Sequence, residues 1–282
     1  MAWDLRRLPV NLRTAAAVRE PARFLARETL MRRATHAYRL RGSGQRAVIR
    51  HPVLDAWVLY EVFGRGEYAL PEPVRRRLVA LDRPVRVLDL GGHVGLFGLF
   101  AREALPGARL VSFEPDPRNL ESLRRCVAEN RAQDTWEVVP AAAGTRDGEA
   151  SFTSDFGTSR LDAVAPGHGE GSSWERWVPA GRGGEHLQSR AATVRVVDAL
   201  PFLGRCDLLK VDVEGAEWAI LDDPRFAQTS ALALVMEVHP GSCPAGAPAQ
   251  VLAERLGAAG LSILGPPPPG DAASIVWALR DG

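Results

Sequence analysis

Val87-Leu88-Asp89-Leu90-Gly91-Gly92-His93-Val94-Gly95-Leu96-Phe97-Gly98 joins two hydrophobic patterns across a glycine turn. Upstream, Val85, Val87, Leu88 and Leu90 make a short apolar run of the kind a buried strand carries. Downstream, Leu96, Phe97, Leu99 and Phe100 recur at helical spacing. The stretch therefore predicts strand, tight turn and helix. Glycine lets such a turn adopt positive φ and approach a ligand closely, and the helix N-terminus offers free amides. A turn of this kind faces a nucleotide-like cofactor.

Outward from the turn, strand and helix alternate. Arg109 to Phe113 reads as a strand ending at Glu114-Pro115-Asp116-Pro117, Asn119 to Asn130 as a helix, and Trp136 to Pro140 as a third strand. Asp207 to Val213 and Ala231 to Val238 supply a fourth and a fifth, and Ala247 to Ala259 a further helix. Leu261 to Leu264 and Ser274 to Leu279, flanking Pro266 to Gly270, read as an antiparallel pair. Glu149 to Thr153 and Thr193 to Val197 are strand-like and separated by about forty residues that include Trp174 and Trp177. A connection of that length, here about 154–191, is expected to be a lid-like insert. Before the first strand, Leu12 to about Leu40 has helical patterning, with Phe24, Leu25, Leu30 and Met31 as candidate buried positions. A second helical stretch runs from Leu54 to Phe63 before Gly64-Arg65-Gly66, and a short helix covers Arg75 to Leu81. The expectation is an α/β fold with a mainly parallel sheet, residues 1–80 forming a helical cap and 81–282 the sheet domain.

Composition narrows the function classes. At 282 residues, 46% hydrophobic and 24% charged, the chain can bury a sizeable core. Cys126, Cys206 and Cys243 lack the paired spacing of a disulfide framework or zinc site and read as reduced thiols. No targeting pattern stands out, and no apolar run reaches the roughly 20 residues of a membrane span. A cytoplasmic protein is expected. A net charge of +1 argues against a nucleic-acid or membrane partner, and the arginine-rich first fifty residues read as the wet face of amphipathic helices. Lys210 is the sole lysine in an arginine-dominated chain, which suggests a site requiring a compact ammonium rather than a planar fork.

Chemistry collects at the carboxyl ends of the strands: Asp89, Glu114, Asp212 and Glu237 all belong to one rim. Glu114, about nineteen residues beyond Gly95, is positioned to accept both ribose hydroxyls of an adenosine-containing ligand. The glycine spacing, Asp89-x-Gly91-x-x-x-Gly95, lacks the Gly-x-Gly-x-x-Gly that lets a backbone reach a pyrophosphate, and His93 stands where a second glycine would. A dinucleotide oxidoreductase is disfavoured. An acid before the turn suits a cofactor with a cationic amino-acid end, such as S-adenosylmethionine, whose ammonium Asp89 could meet directly or through water. Lys210 and Asp212 share a strand face, with Glu214 beyond them. A structural ion pair and a substrate-facing role for Lys210 both remain open.

Four motifs in order carry a resemblance: the Val87–Gly98 stretch, Phe113-Glu114-Pro115-Asp116-Pro117, Leu209-Lys210-Val211-Asp212-Val213-Glu214-Gly215-Ala216-Glu217 and Glu237-Val238-His239. From Val85 to His239 the chain resembles the FkbM-type methyltransferases. The resemblance implies a class I, Rossmann-like fold whose seven-stranded sheet has an antiparallel last strand. It also implies S-adenosylmethionine as cofactor and O-methylation of a small natural-product or sugar-containing acceptor. Asp89, Gly91, Gly92, His93, Gly95, Glu114 and Asp212 are the candidate cofactor residues. Lys210, Asp212, Glu237 and His239 are the candidate catalytic ones, His239 being the natural base by its ordinary pKa. N-methylation of an amide or amine in a peptide-like product, and a non-catalytic cofactor-binding scaffold, are the alternatives. Clustered acids permit a divalent metal, but no compact ligand motif stands out and none is expected. A homodimer is left open.

Overall fold

The computed structural model describes residues 8–29, 34–51, 54–154, 159–161, 190–265 and 273–282. The chain begins with helices α1 (Leu8–Ala16) and α2 (Pro21–Thr29) and then departs from the helical cap expected. Strands β1 (Ala34–Arg39) and β2 (Arg46–His51) pair antiparallel around Gly42-Ser43-Gly44, with Gly44 at φ +73°. Gly42 and Gly44 turn the chain back after β1, and the β-branched Val48 and Ile49 suit the returning strand β2. Helix α3 (Asp55–Leu59) runs into a π-helical turn over Tyr60–Arg65, which Gly66 ends at φ +68°. Helix α4 (Glu72–Val79) leads to the sheet.

The core alternates as read: β3 (Arg86–Leu90), α5 (Leu96–Ala104), β4 (Arg109–Phe113), α6 (Pro117–Glu129) and β5 (Trp136–Val139). Helix α6 starts where the sequence dictates, since Asp116 caps the Arg118 amide at 2.8 Å and Pro117 occupies the first turn. A side sheet follows, built from β6 (Ala142–Gly144), β7 (Gly148–Ser154), β8 (Ser159–Leu161) and β9 (Arg190–Asp198). There Glu149 faces Arg195, so the two strand-like segments do pair. The remaining core elements are α7 (Leu200–Leu203), β10 (Leu208–Val211), α8 (Glu217–Asp222), β11 (Ala233–Val238), α9 (Pro248–Ala258), β12 (Leu261–Leu264) and β13 (Ser274–Arg280). Leu30, Met31, Trp174, Trp177, most of the 154–191 insert and Pro266 to Gly270 lie outside the described residues.

The main sheet has the order β12-β13-β11-β10-β3-β4-β5, with β13 antiparallel to both neighbours and the other pairs parallel. This is the seven-stranded class I arrangement with its antiparallel last strand. The chain moves outward one way from β3 and returns on the other side at β10, so the strand order reverses between those two strands. A crevice opens at their carboxyl ends.

Strand alternation divides the core. Leu88, Leu90, Leu209 and Val211 pack with Trp218, Phe226 and Leu252 on one face. On the other face, Val87, Leu208 and Val235 meet Phe97 and Leu99 of α5 and also Phe24, Tyr38, Ile49 and Leu59 of the N-terminal extension. The extension therefore shares the sheet's own core. Within it, Tyr38 Oη lies 2.9 Å from His51 Nε2, and His51 Nδ1 lies 2.7 Å from Glu28, tying α2 to the hairpin.

Candidate active site

Lys210 sits at the centre of the reversal point. Its register partner on β3 is Asp89, so both side chains leave the sheet on the face toward the extension. The ammonium donates to the Gly91 carbonyl at 2.5 Å and lies 3.4 Å from Asp89 and 3.2 Å from Asp212. Asp89 is fully buried. Its Oδ2 accepts from Ser112 at 2.8 Å, Ser112 accepts from the Trp136 indole at 2.9 Å, and Oδ1 makes only the longer ion contact with Lys210. Burial opposes the Lys210 charge, but Asp212 and Asp89 outweigh it and hold the ammonium protonated. Two expectations change here. Asp89 exposes nothing that could meet a ligand directly, and the Lys210 ammonium is enclosed by its own strands rather than aimed at a substrate.

The glycines of the turn have packing reasons as well as conformational ones. Gly91 has φ +89°, and a Cβ there would come 1.8 Å from the Asp212 carbonyl oxygen. Gly92 lies against Ser112, and Gly95, at φ +90°, against Leu123. His93 holds φ +48° without being glycine, its amide bonded to Glu114 at 2.7 Å. Its Nε2 is 3.8 Å from Asp55, and its Nδ1 is buried with no hydrogen-bond partner among the described residues.

Glu114 follows β4 directly and is 4% exposed. One oxygen accepts from the His93 amide. The other accepts from the Asp116 amide at 2.8 Å and the Asn119 side chain at 3.3 Å. Each carboxylate oxygen has two lone pairs, so these three bonds fix the group and leave one acceptor site, on the oxygen that meets the His93 amide, for a ligand hydroxyl rather than for both hydroxyls of a ribose. Burial pushes the carboxyl up to about 7, because those hydrogen bonds only partly offset desolvation.

The far end of the crevice is acidic. Tyr68, from the extension, lies 3.5 Å from Asp212 and stacks edge-on against Phe97. Burial raises the Asp212 carboxyl, but Lys210 and His239 outweigh it and leave it lowered and ionised. Glu237, two residues along β11 from Val235, makes no hydrogen bond or ion pair among the described residues. Burial, then the charge of Asp212, pushes its pKa well above the carboxylate range. Glu61 enters from the π-helical turn, bonded to the Trp57 indole at 2.5 Å, and is raised to about 8 by burial and by Glu67.

His239 is not the free imidazole expected of a base. Its Nδ1 is 3.1 Å from Glu217, its Nε2 is 3.2 Å from Glu214, and Glu217 also accepts the His239 and Gly215 amides. Burial works against its charge, yet the two glutamates prevail and lift its pKa well above 6.5. The ring is held as a cation at neutral pH. Asp212, Glu214 and His239 offer ligand atoms within 4.8 Å of one another, a spacing that could hold a metal. Lys210, 3.2 Å from Asp212, and the imidazolium already supply positive charge there.

Glu61, Tyr68 and Asp55 were not foreseen. The available signal was Asp55, Glu61 and Glu67 interrupting an otherwise apolar, aromatic-rich stretch just before the sheet.

The architecture agrees with a domain-level match. The methyltransferase FkbM domain matches residues 89–254. The AMB antimetabolite synthetase AmbE of Pseudomonas aeruginosa is 29% identical over 201 residues, 61% of this chain and 9% of that protein. The methyltransferase sdnD of Sordaria araneosa is 28% identical over 151 residues, 48% of this chain and 58% of that protein. The chain thus spans less than two thirds of either relative. Among solved structures, methyltransferase FkbM from Methylobacillus flagellatus aligns with 98% of this chain and 59% of its own, at 13% identity and a TM-score of 0.44. Because the domain match takes in more than half of its residues, this chain belongs to the FkbM methyltransferases.

Proposed function

We propose that the protein is an S-adenosylmethionine-dependent O-methyltransferase acting on a hydroxyl of a small natural-product or sugar-containing acceptor. The residues present fit that cofactor. Glu114 is a buried acid with a spare acceptor site at a strand end, His93 Nδ1 is a buried ring nitrogen without a partner among the described residues, and the acidic far end suits a sulfonium. When bound, the cofactor supplies an electrophilic methyl group. The chain's own work is to hold and orient, and to take a proton. Gly91, Gly92 and Gly95 keep the turn open, with Lys210 and Asp89 as the brace beneath it.

The observation that carries the reading is Glu237. Its carboxyl makes no hydrogen bond or ion pair among the described residues, and burial together with the charge of the ionised Asp212 raises its pKa well above the carboxylate range. Two acids pushed apart in this way divide roles: Asp212 stays charged and orients, while Glu237 exchanges the hydroxyl proton. AmbE, an antimetabolite synthetase by name, supports a natural-product acceptor.

The test is Glu237→Gln, assayed with isotopically labelled cofactor and candidate metabolites by mass spectrometry. A positioned base contributes on the order of 100-fold or more, so kcat should fall by about that factor. A loss under about threefold would favour N-methylation of an amide or amine, which needs a neutral nitrogen more than a base.

A further inference from the structure

The extension reaches the adenosine end of the crevice through one continuous chain of polar contacts. Arg50, the penultimate residue of β2, clasps the fully buried Asp55 with Nε at 2.8 Å, Nη2 at 2.7 Å and its own amide at 2.9 Å. The same Nη2 donates to Asn119 Oδ1 at 2.8 Å, and Asn119 Nδ2 donates to Glu114 at 3.3 Å. Asp55 also lies 3.8 Å from the ring of His93, whose amide is the other clamp on Glu114.

Two physical points make this more than packing. A planar guanidinium forked onto a buried carboxylate has one orientation, which fixes where its remaining N–H points. That N–H in turn fixes the Asn119 amide. With a cation on one side and a carboxylate on the other, only one placement of its oxygen and nitrogen satisfies both. The direction of the Glu114 carboxylate is thus set partly by two residues, 50 and 55, outside the matched domain at 89–254.

We propose that Arg50 and Asp55 are positioning residues for the cofactor. Through Asn119 they hold Glu114 in the pose in which its remaining lone pair accepts the ribose 2′-hydroxyl, so the extension completes the adenosine site. The proposal rests on Glu114 being the ribose acid.

Calorimetry of the full chain with S-adenosylhomocysteine and its 2′-deoxy counterpart tests it. Arg50→Met should weaken the ribose ligand about tenfold and the deoxy ligand less than twofold. Combined with Glu114→Ala, it should add nothing to the loss that Glu114→Ala causes alone, since coupled residues are not additive. Should Arg50→Met fail to fold by thermal melting, Asp55→Asn, which keeps the volume, carries the same comparison. Equal losses for both ligands would mark a merely structural role and overturn the proposal, as would unchanged affinity. If Glu114→Ala itself spares the ribose ligand, the assignment of Glu114 fails first. That outcome is separable, because the single variant reports on it without Arg50.

Discussion

At Glu114 the same burial acts in opposite directions on folding and on binding. A carboxyl raised from about 4.3 in the unfolded chain to about 7 in the folded one binds more protons when folded throughout that interval. Its contribution to stability is therefore present below the unfolded pKa and falls as pH rises toward 7. Binding needs the ionised acceptor, so affinity for S-adenosylhomocysteine should drop about tenfold per pH unit below roughly 7. Glu114→Gln should flatten that slope; calorimetry from pH 5.5 to 8 checks it, and an unchanged slope would assign the titration elsewhere. Asp207 behaves in the opposite sense. Burial alone would raise it, but paired contacts of 2.7 to 3.0 Å from Arg83 and Arg86 outweigh burial and hold it far below the usual carboxylate range. Its stabilisation is present above about pH 3.9 and is lost as pH falls toward the lower folded pKa. Asp207→Asn should cost about 2 kcal/mol at neutral pH by denaturant unfolding. Glu114 was legible because an acid at a strand end after a glycine turn is a local pattern. The imidazolium of His239 was not, because Glu217 and Glu214 reach it only once β11 lies beside β10.

Helix α5 contains a glycine that propensity alone would replace. Gly98→Ala in a helix interior ordinarily gains about 1 kcal/mol, but a Cβ here would lie 2.1 Å from the Trp136 indole. That indole is anchored on Ser112, which is anchored on Asp89, so it cannot yield without disturbing the brace under the turn. Overpacking of this kind costs about 1 to 3 kcal/mol, and the clash wins. Thermal unfolding of Gly98→Ala should show net destabilisation; a raised melting temperature would mean that the indole moves freely. The core strands and helices were readable because their periodicity is intrinsic to each segment. The β1–β2 hairpin was not, since Ala37, Tyr38 and Ile49 are as compatible with a buried helix stripe as with a buried strand face. What decides between them is the sheet-side core that they join.

For the whole molecule, the shared core sets what can be removed. The division at residue 80 suggested by the sequence follows a change in pattern, yet Phe24, Tyr38 and Leu59 pack in the same cluster as Val87 and Leu99. Deleting residues 1–80 would strip one sheet face of its cover and take Asp55, Glu61 and Tyr68 from the crevice. The shortened chain should be insoluble or molten on expression; a soluble fragment with a cooperative melt would show the extension to be separable. One further consequence follows from the ammonium clamped between β3 and β10. In a chain with a single lysine, 3% exposed at its side chain, the native fold offers acylating reagents no lysine to modify. A mass increment at Lys210 on treatment with an acetylating reagent can accumulate only as the two central strands part. The protein therefore carries an internal clock for the opening of its own sheet, readable by mass spectrometry without any engineered label.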